Sequence, residues 1–200
     1  MQLVRSKLHI RALTFEYNGV ARRELEAAKE ISQAAGIGEH RFVRLPDVRE
    51  AGDISTAAFN GMPPTYIPVR NAIFYSLAAS YAEEVGGEII VGGHNKDDIK
   101  MFADATPAFF DQLERVLRTG STILSRKRMR ILLPLSGMTK AQVIKRAASL
   151  NVPLGLTWSC HQEGKGHCWE CEGCRARVIG FEKAGVSDPL RPQGRTGKIS

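Results

Sequence analysis

The sequence predicts an α/β fold: a doubly wound, mostly parallel sheet followed by a small cysteine-bearing knot and helices at the C-terminal end. Three observations lead there. Short apolar runs alternate with helical patterns through most of the chain, the signature of parallel strands joined by crossover helices. All four cysteines lie between positions 160 and 174, with none before. The 200 residues, 43% hydrophobic and 24% charged, supply a core for one ordinary domain with an appendage. The implied organisation is an α/β domain over residues 1–155, a metal-binding region over 156–190 and a flexible tail over 191–200.

Each element has its local reason. His9-Ile-Arg-Ala-Leu-Thr-Phe15 alternates and predicts the first strand. The Ala-, Glu- and Leu-rich stretch Val20–Ala35 predicts a helix with Leu25, Ala28, Ile31 and Ala35 on one face, ended by Gly36. Arg41–Leu45 reads as a second strand. Pro46–Pro68 carries Gly52, Gly61, Pro63 and Pro64 and predicts a long loop, a kind that is functional or mobile. A second helix is predicted over Arg70–Val85, with Ile73, Leu77 and Tyr81 on one side. Glu88–Val91 then reads as a short buried strand before Gly92-Gly93. Phe109–Leu124 predicts a third helix and Ile131–Leu133 the last strand. Thr139 and Gln142 form a capping-box pattern opening a helix over 140–150. After the cysteine segment comes a helix over Arg175–Ala184. In such a sheet the ligand belongs beyond the carboxyl ends of the strands.

Composition excludes some classes and favours others. No apolar run reaches the roughly 20 residues of a membrane helix, and Met1–Lys7 has no apolar signal core, so the expectation is a cytoplasmic protein. Lys and Arg number 28 against 21 Asp and Glu, giving a net charge of +7 and a pI near 9.4. That excess favours an anionic ligand: nucleotide, carboxylate or RNA. The densest patch, Arg126-Lys-Arg-Met-Arg130, reads as a solvated helix end before a strand, with phosphate or RNA contact as the alternative.

Three motifs carry chemistry. In Cys160-x7-Cys168-x2-Cys171-x2-Cys174, four thiolates within fifteen residues can close a tetrahedron around zinc. Gly164, Gly166 and Gly173 supply the tight backbone. Iron–sulfur ligation is the weaker reading, because the usual fourth cysteine and proline do not follow, although Cys160 could serve. His161 and His167 could each replace a sulfur, but four cysteines suffice. With no open position, such a site stabilises rather than catalyses. The second motif, Thr65-Tyr-Ile-Pro-Val-Arg70-Asn71, delivers Arg70 and Asn71 to a helix N-terminus, where amides, dipole and guanidinium favour an anion; a surface arginine is the plain alternative. The third, Val91-Gly-Gly-His94-Asn95-Lys96-Asp97-Asp98, puts donors and carboxylates after a strand, where Asp97 and Asp98 either hold Mg2+ or cap the next helix. Asp104, between Phe102 and Phe109–Phe110, is a further candidate for the same pocket.

Taken together these stretches resemble the 7-cyano-7-deazaguanine synthase family of queuosine and archaeosine precursor synthesis, in the PP-loop ATP pyrophosphatase superfamily. The resemblance rests on Ala12–Phe15 with Arg22–Ala28, Tyr66–Asn71, Val91–Asn95, Phe102–Asp104, and Thr157–Cys160 through Cys174–Arg177. It covers the chain from about residue 9 to Pro189, and the Trp-Ser-Cys entry to a four-cysteine knot is specific. It implies an adenine nucleotide α-hydrolase-like fold, Zn2+ bound by the four cysteines, and a carbon–nitrogen ligase. That enzyme uses ATP and Mg2+ to convert 7-carboxy-7-deazaguanine and ammonia to the nitrile through an acyl-adenylate. It further implies a homodimer; no membrane is expected, and direct RNA binding is disfavoured but left open. Arg70, Asn71 and His94 would take catalytic positions, and Thr14, Phe15, Asn95 and Asp98 would bind the nucleotide, with the adenine at the end of the first strand.

The sequence departs from the family at one point. The family opens with a buried strand, a Ser-Gly-Gly-x-Asp-Ser loop around the ATP pyrophosphate, and a helix. No Ser-Gly-Gly occurs here, and Met1–Lys7 reads as the end of that helix. Glycine amides and serine hydroxyls of such a loop form the anion nest for the leaving group. The expectation is therefore a late start or a partner that supplies the element. Two other readings stay open: a tRNA-modifying adenylating enzyme of the same superfamily, and a zinc-stabilised homologue without ATP chemistry.

Overall fold

The structure, a computed structural model, describes residues 8–45 and 66–192. The readings of Met1–Lys7, of loop residues 46–65 and of the tail beyond 192 lie outside the described residues. The elements are β1 (Arg11–Tyr17), α1 (Arg22–Ala34), β2 (Glu39–Leu45), α2 (Arg70–Val85), β3 (Ile89–Val91), α3 (Lys96–Met101), α4 (Pro107–Gly120), α5 (Thr122–Lys127), β4 (Arg130–Leu132), α6 (Lys140–Ser149) and α7 (Glu172–Ala184), with single 3-10 turns at Ala103–Ala105 and Leu154–Leu156. Strands and helices mix as the α/β reading requires. Among the described residues the strands form two two-stranded sheets, β1 with β2 and β3 with β4. The second is parallel, with Ile90 opposite Ile131 and Val91 opposite Leu132.

The chain divides into two compact units. Of the described residues, one takes 8–14, 20–41 and 144–192; the other takes 15–19, 42–45 and 66–143. The cysteine segment thus goes with α1.

The second unit is built around Tyr75, Ala79, Phe110, Leu124, Met129 and Ile131. These come from α2, α4, α5, β4 and, for Met129, the turn between α5 and β4, so the core lies where the helices cover one face of the β3–β4 sheet. The buried stripe of α2 is Asn71, Tyr75, Ala79 and Ala82. The larger apolar residues that share one side, Ile73, Leu77 and Tyr81, are not that stripe, and Ile73 is exposed. The small Ala79 and Ala82 let α2 approach the sheet, whereas larger side chains there would hold it off. Nor is β3 the buried strand expected, since Ile89 and Val91 are 44% and 42% exposed and only Ile90 packs on the core. The outer edge of β4 is closed by Glu114 of α4, whose carboxylate accepts the Ile131 N–H at 2.7 Å and pairs with Arg130 at 3.1 Å.

Other boundaries moved for identifiable reasons. β1 continues past Phe15 to Tyr17, where Glu16 pairs with Arg44 of β2, and Gly19 at φ +86° turns the chain. The single helix expected over 109–124 is two helices. Thr106 caps the first by accepting from Phe109 N–H, Pro107 opens it, and Ser121 in extended backbone recaps the second by accepting from Leu124 N–H. The short α3 lacks apolar periodicity, so pattern reading passed over it. The capping box at α6 forms as read, Gln142 N–H donating to Thr139 Oγ1 and Thr139 N–H to Gln142 Oε1. α7 starts at Glu172, which puts Cys174 on the helix. In the basic stretch, Met129 is fully buried while its four cationic neighbours are exposed; Lys127 donates to Gly86 O and Arg130 pairs with Glu114. No helix among the described residues is long and apolar enough to cross a membrane.

Candidate metal centre and polar loops

The knot is organised by backbone as much as by sulfur. Trp158 Nε1–H donates to Cys160 O, and Ser159 N–H donates to His167 Nε2, which pins the two ends of the Cys160–Cys168 loop together. The His167 ring lies between Trp158 and Trp169, with centroids 4.3 and 5.1 Å away. Trp169 takes φ +66°, turning the chain so that Glu170 and Cys171 N–H groups both donate to Cys168 Sγ. Gly173 sits where a Cβ would be 2.0 Å from Ser159 O, so the first turn of α7 reaches the loop only through a glycine.

Cys160, Cys168, Cys171 and Cys174 are all free thiols, and their sulfurs lie within 4.8 Å of one another. Sγ of Cys168 is 3.8 Å from that of Cys174, and Sγ of Cys171 is 4.0 Å from that of Cys160. Four sulfurs at about 2.3 Å from a tetrahedral zinc stand about 3.8 Å apart. The donor set therefore fits one tetrahedral ion. An iron–sulfur cluster, whose thiolates bind separate irons, wants them further apart. Burial pushes the Cys160 and Cys174 thiols up. At Cys168 burial acts the same way, but the N–H groups of Cys171 and Glu170 outweigh it and bring the thiol down to about 7. One thiolate is thus prepared by the fold itself, the usual device of Cys-x2-Cys turns.

Sequence reasoning gave no warning of what holds this knot to the rest of its unit. Glu163, in the loop, accepts the N–H of Arg22 at the start of α1, at 2.8 Å. Arg23 lies 5.8 Å from the Trp158 ring centroid. Arg177 of α7 is buried and forked onto Asp188, with two bonds of 2.7 Å. Its other donors reach Thr157 Oγ1 and the carbonyls of Thr157 and Leu154. An arginine one helical turn after Cys174 is the only trace of this in the sequence, because its partner comes from a loop beyond α7.

In the second unit the remaining candidates are placed as follows. Asn71 gives its backbone N–H to Asp104 Oδ2 and its side-chain amide to Asp104 O, so the start of α2 is capped by that carboxylate. Arg70 lies over Phe74 and within 3.5 Å of Tyr17 Oη; among the described residues it has no carboxylate partner. Phe15 stacks on Phe74 at 4.2 Å. His94 is tucked against Tyr75 and Phe110. Burial holds its imidazole below the ordinary histidine range; Asp98 and Asp104 act against that and Arg70 with it, so these four groups share one electrostatic neighbourhood. Asn95 and Asp98 form a capping box on α3, Asn95 Oδ1 accepting from Asp97 N–H and Asp98 Oδ2 from Asn95 N–H. Asp97 accepts the N–H of Lys140. Both carboxylates thus accept backbone N–H groups at helix starts. Thr14, in the first unit, shares a 2.8 Å hydrogen bond with His40. Thr14 and Phe15 lie within β1 and not at its end.

Residues 1–185 match the family described as "Queuosine biosynthesis protein QueC". The chain is 36% identical over 193 residues to the 7-cyano-7-deazaguanine synthase of Thermoplasma acidophilum, covering 90% of this chain and 80% of that protein. It is 34% identical to the synthases of Oceanobacillus iheyensis, over 90% of this chain and 85% of the relative, and of Acetivibrio thermocellus, over 92% and 86%. The four convergent thiols and the His94–Asn95 loop lie inside the matched span, and the chain belongs to the QueC family.

Proposed function

We propose that this chain is a 7-cyano-7-deazaguanine synthase, an ATP-dependent carbon–nitrogen ligase acting on 7-carboxy-7-deazaguanine and ammonia. What carries the reading is continuous likeness, over about nine-tenths of the chain, to proteins of that name. The substrate carboxylate attacks the ATP α-phosphorus and expels pyrophosphate. Ammonia displaces AMP from the acyl-adenylate to give the amide; a second ATP adenylates the amide oxygen with release of pyrophosphate, and loss of AMP together with the two amide N–H protons leaves the nitrile. Two anions must meet in the first step, so positioning and countercharge dominate the catalysis.

Arg70 is assigned to the anions, because its guanidinium lacks a carboxylate partner among the described residues. Asn71 holds Asp104 beside it. His94, held neutral by burial, offers one donor and one acceptor to the substrate or phosphate. Thr14 and Phe15 are assigned to the adenine, the stacked Phe15–Phe74 pair giving an apolar platform. Asn95 and Asp98 take the phosphate side, where Mg2+, when bound, offsets charge. Zn2+ in the four thiolates would be structural, for no coordination position is left over. A doubly wound sheet, a homodimer and a cytoplasmic location belong to the same proposal.

The test is incubation with ATP, Mg2+, ammonium and 7-carboxy-7-deazaguanine, reading nitrile by mass and AMP by chromatography. Nitrile with AMP release is expected. Neither product, from folded and metal-loaded protein, overturns the assignment.

A further inference from the structure

We infer that Glu163 couples the metal knot to helix α1, so that filling the four-cysteine site orders the start of that helix. The inference rests on the metal reading proposed above and goes beyond it. α1 has no cap of its own: Ala21 occupies the N-cap position and offers no side-chain acceptor. The first amides of a helix need acceptors from elsewhere. Here one comes from the other end of the sequence, as Glu163 Oε1 takes the Arg22 N–H at 2.8 Å. A carboxylate at that end also suits the helix dipole.

Glu163 is three residues past Cys160 and five before Cys168, in the longest of the three segments that join the four clustered cysteines. Glu163 and its neighbours Gln162, Gly164, Lys165 and Gly166 are exposed, so packing does little to fix this segment. What closes it is the convergence of the two sulfurs and the Ser159–His167 bond. An ion holding Cys160 and Cys168 together shortens the set of conformations open to the loop. Take the ion away and the loop widens, and the Arg22 N–H loses its acceptor. Arg23 over Trp158 remains as a second bridge between the start of α1 and the knot segment. By linkage the effect is reciprocal: whatever the metal does for α1, an ordered α1 does for metal affinity.

The experiment uses the full chain, with zinc alone as the probe. Zinc content and affinity are measured by chelator competition, and amide hydrogen exchange is read residue by residue by NMR. In zinc-loaded Glu163→Ala, exchange at Arg22 should quicken roughly fivefold, the usual worth of an N-cap. Zinc should still bind one per chain, with affinity lowered by a similar factor. Zinc removal from the unmodified chain should quicken Arg22 at least as much, while in Glu163→Ala it should add less than twofold at that amide. Glu163→Gln, which keeps an acceptor oxygen, should fall between the two. If zinc binds one per chain and the Arg22 amide ignores its removal, the coupling is wrong although the metal reading stands. Equal acceleration with and without Glu163 also overturns it, since the route would lie elsewhere. If no metal binds at all, the metal reading fails and takes the coupling with it.

Discussion

Replacing Gly173 by alanine sets two effects of opposite sign against each other. Gly173 lies in the first turn of α7, and alanine there should raise helix propensity by about 1 kcal/mol. Sterically the change is severe. The new Cβ would stand 2.0 Å from Ser159 O and 2.8 Å from His161 Nε2, and ordinary contact begins at 3.4 Å. The helix must therefore retreat from the loop by about 1.4 Å. That displacement acts on Cys174, the next residue, against a loop that carries Cys160. Metal–sulfur distances tolerate about 0.2 Å, so one ligand is lost or the helix distorts. Overpacking of this kind costs about 1–3 kcal/mol, which as binding energy is a loss of zinc affinity of about fivefold to 150-fold. Chelator competition on both proteins reads the effect directly. Gly166→Ala is the control, because a Cβ there meets nothing within 4 Å, and it should leave affinity unchanged. A Gly173→Ala protein that holds zinc as tightly as the parent would refute the close-approach argument.

Three further outcomes are expected. Asp188→Asn should destabilise the protein by about 3–5 kcal/mol in urea at neutral pH, since it strands a buried guanidinium. Burial raises the Asp188 carboxyl, but Arg177 and the Leu190 N–H outweigh it and hold it below the usual range. Its stabilisation is therefore present above the unfolded carboxylate pKa near 3.9 and lost as pH falls through the lower folded value; unfolding against pH should show that acid limb in the parent and a shallower one in Asp188→Asn. Gly92→Ala would put a Cβ 1.7 Å from Tyr75 Oη, so thermal stability should drop and Tyr75→Phe in the same chain should restore part of it. Arg70→Lys keeps the charge but loses the fork, and should raise KM for the anionic substrates about tenfold with melting temperature unchanged.

The clustering of the four cysteines could be read from spacing because a Cys-x2-Cys turn is local, and nothing distant is needed to bring Cys168 and Cys171 together. Strand and helix alternation was equally legible, since β1 alternates and α1 carries an apolar stripe at helical spacing. The face of α2 was not, because burial there follows the small Ala79 and Ala82 and the polar Asn71, which a hydrophobicity pattern undervalues. The split between α4 and α5 turns on a single serine that recaps after Gly120. Asp104 as the cap of α2, Glu163 on Arg22 and Asp188 on Arg177 join residues 33, 141 and 11 positions apart, across loops whose lengths carry no signal. Polar pairings of that kind are fixed by tertiary placement alone.

The carboxylate of Glu114 has a bearing on how this molecule behaves in a crowded solution. A bare outer strand invites a neighbour to zip alongside it, the first step towards insoluble assemblies. At β4 an invading strand would have to evict an anion from the Ile131 amide and leave it stranded between two backbones, next to Arg118 and Arg130 that already claim it. Association along that margin is thereby discouraged, through one acidic side chain set on a helix above it.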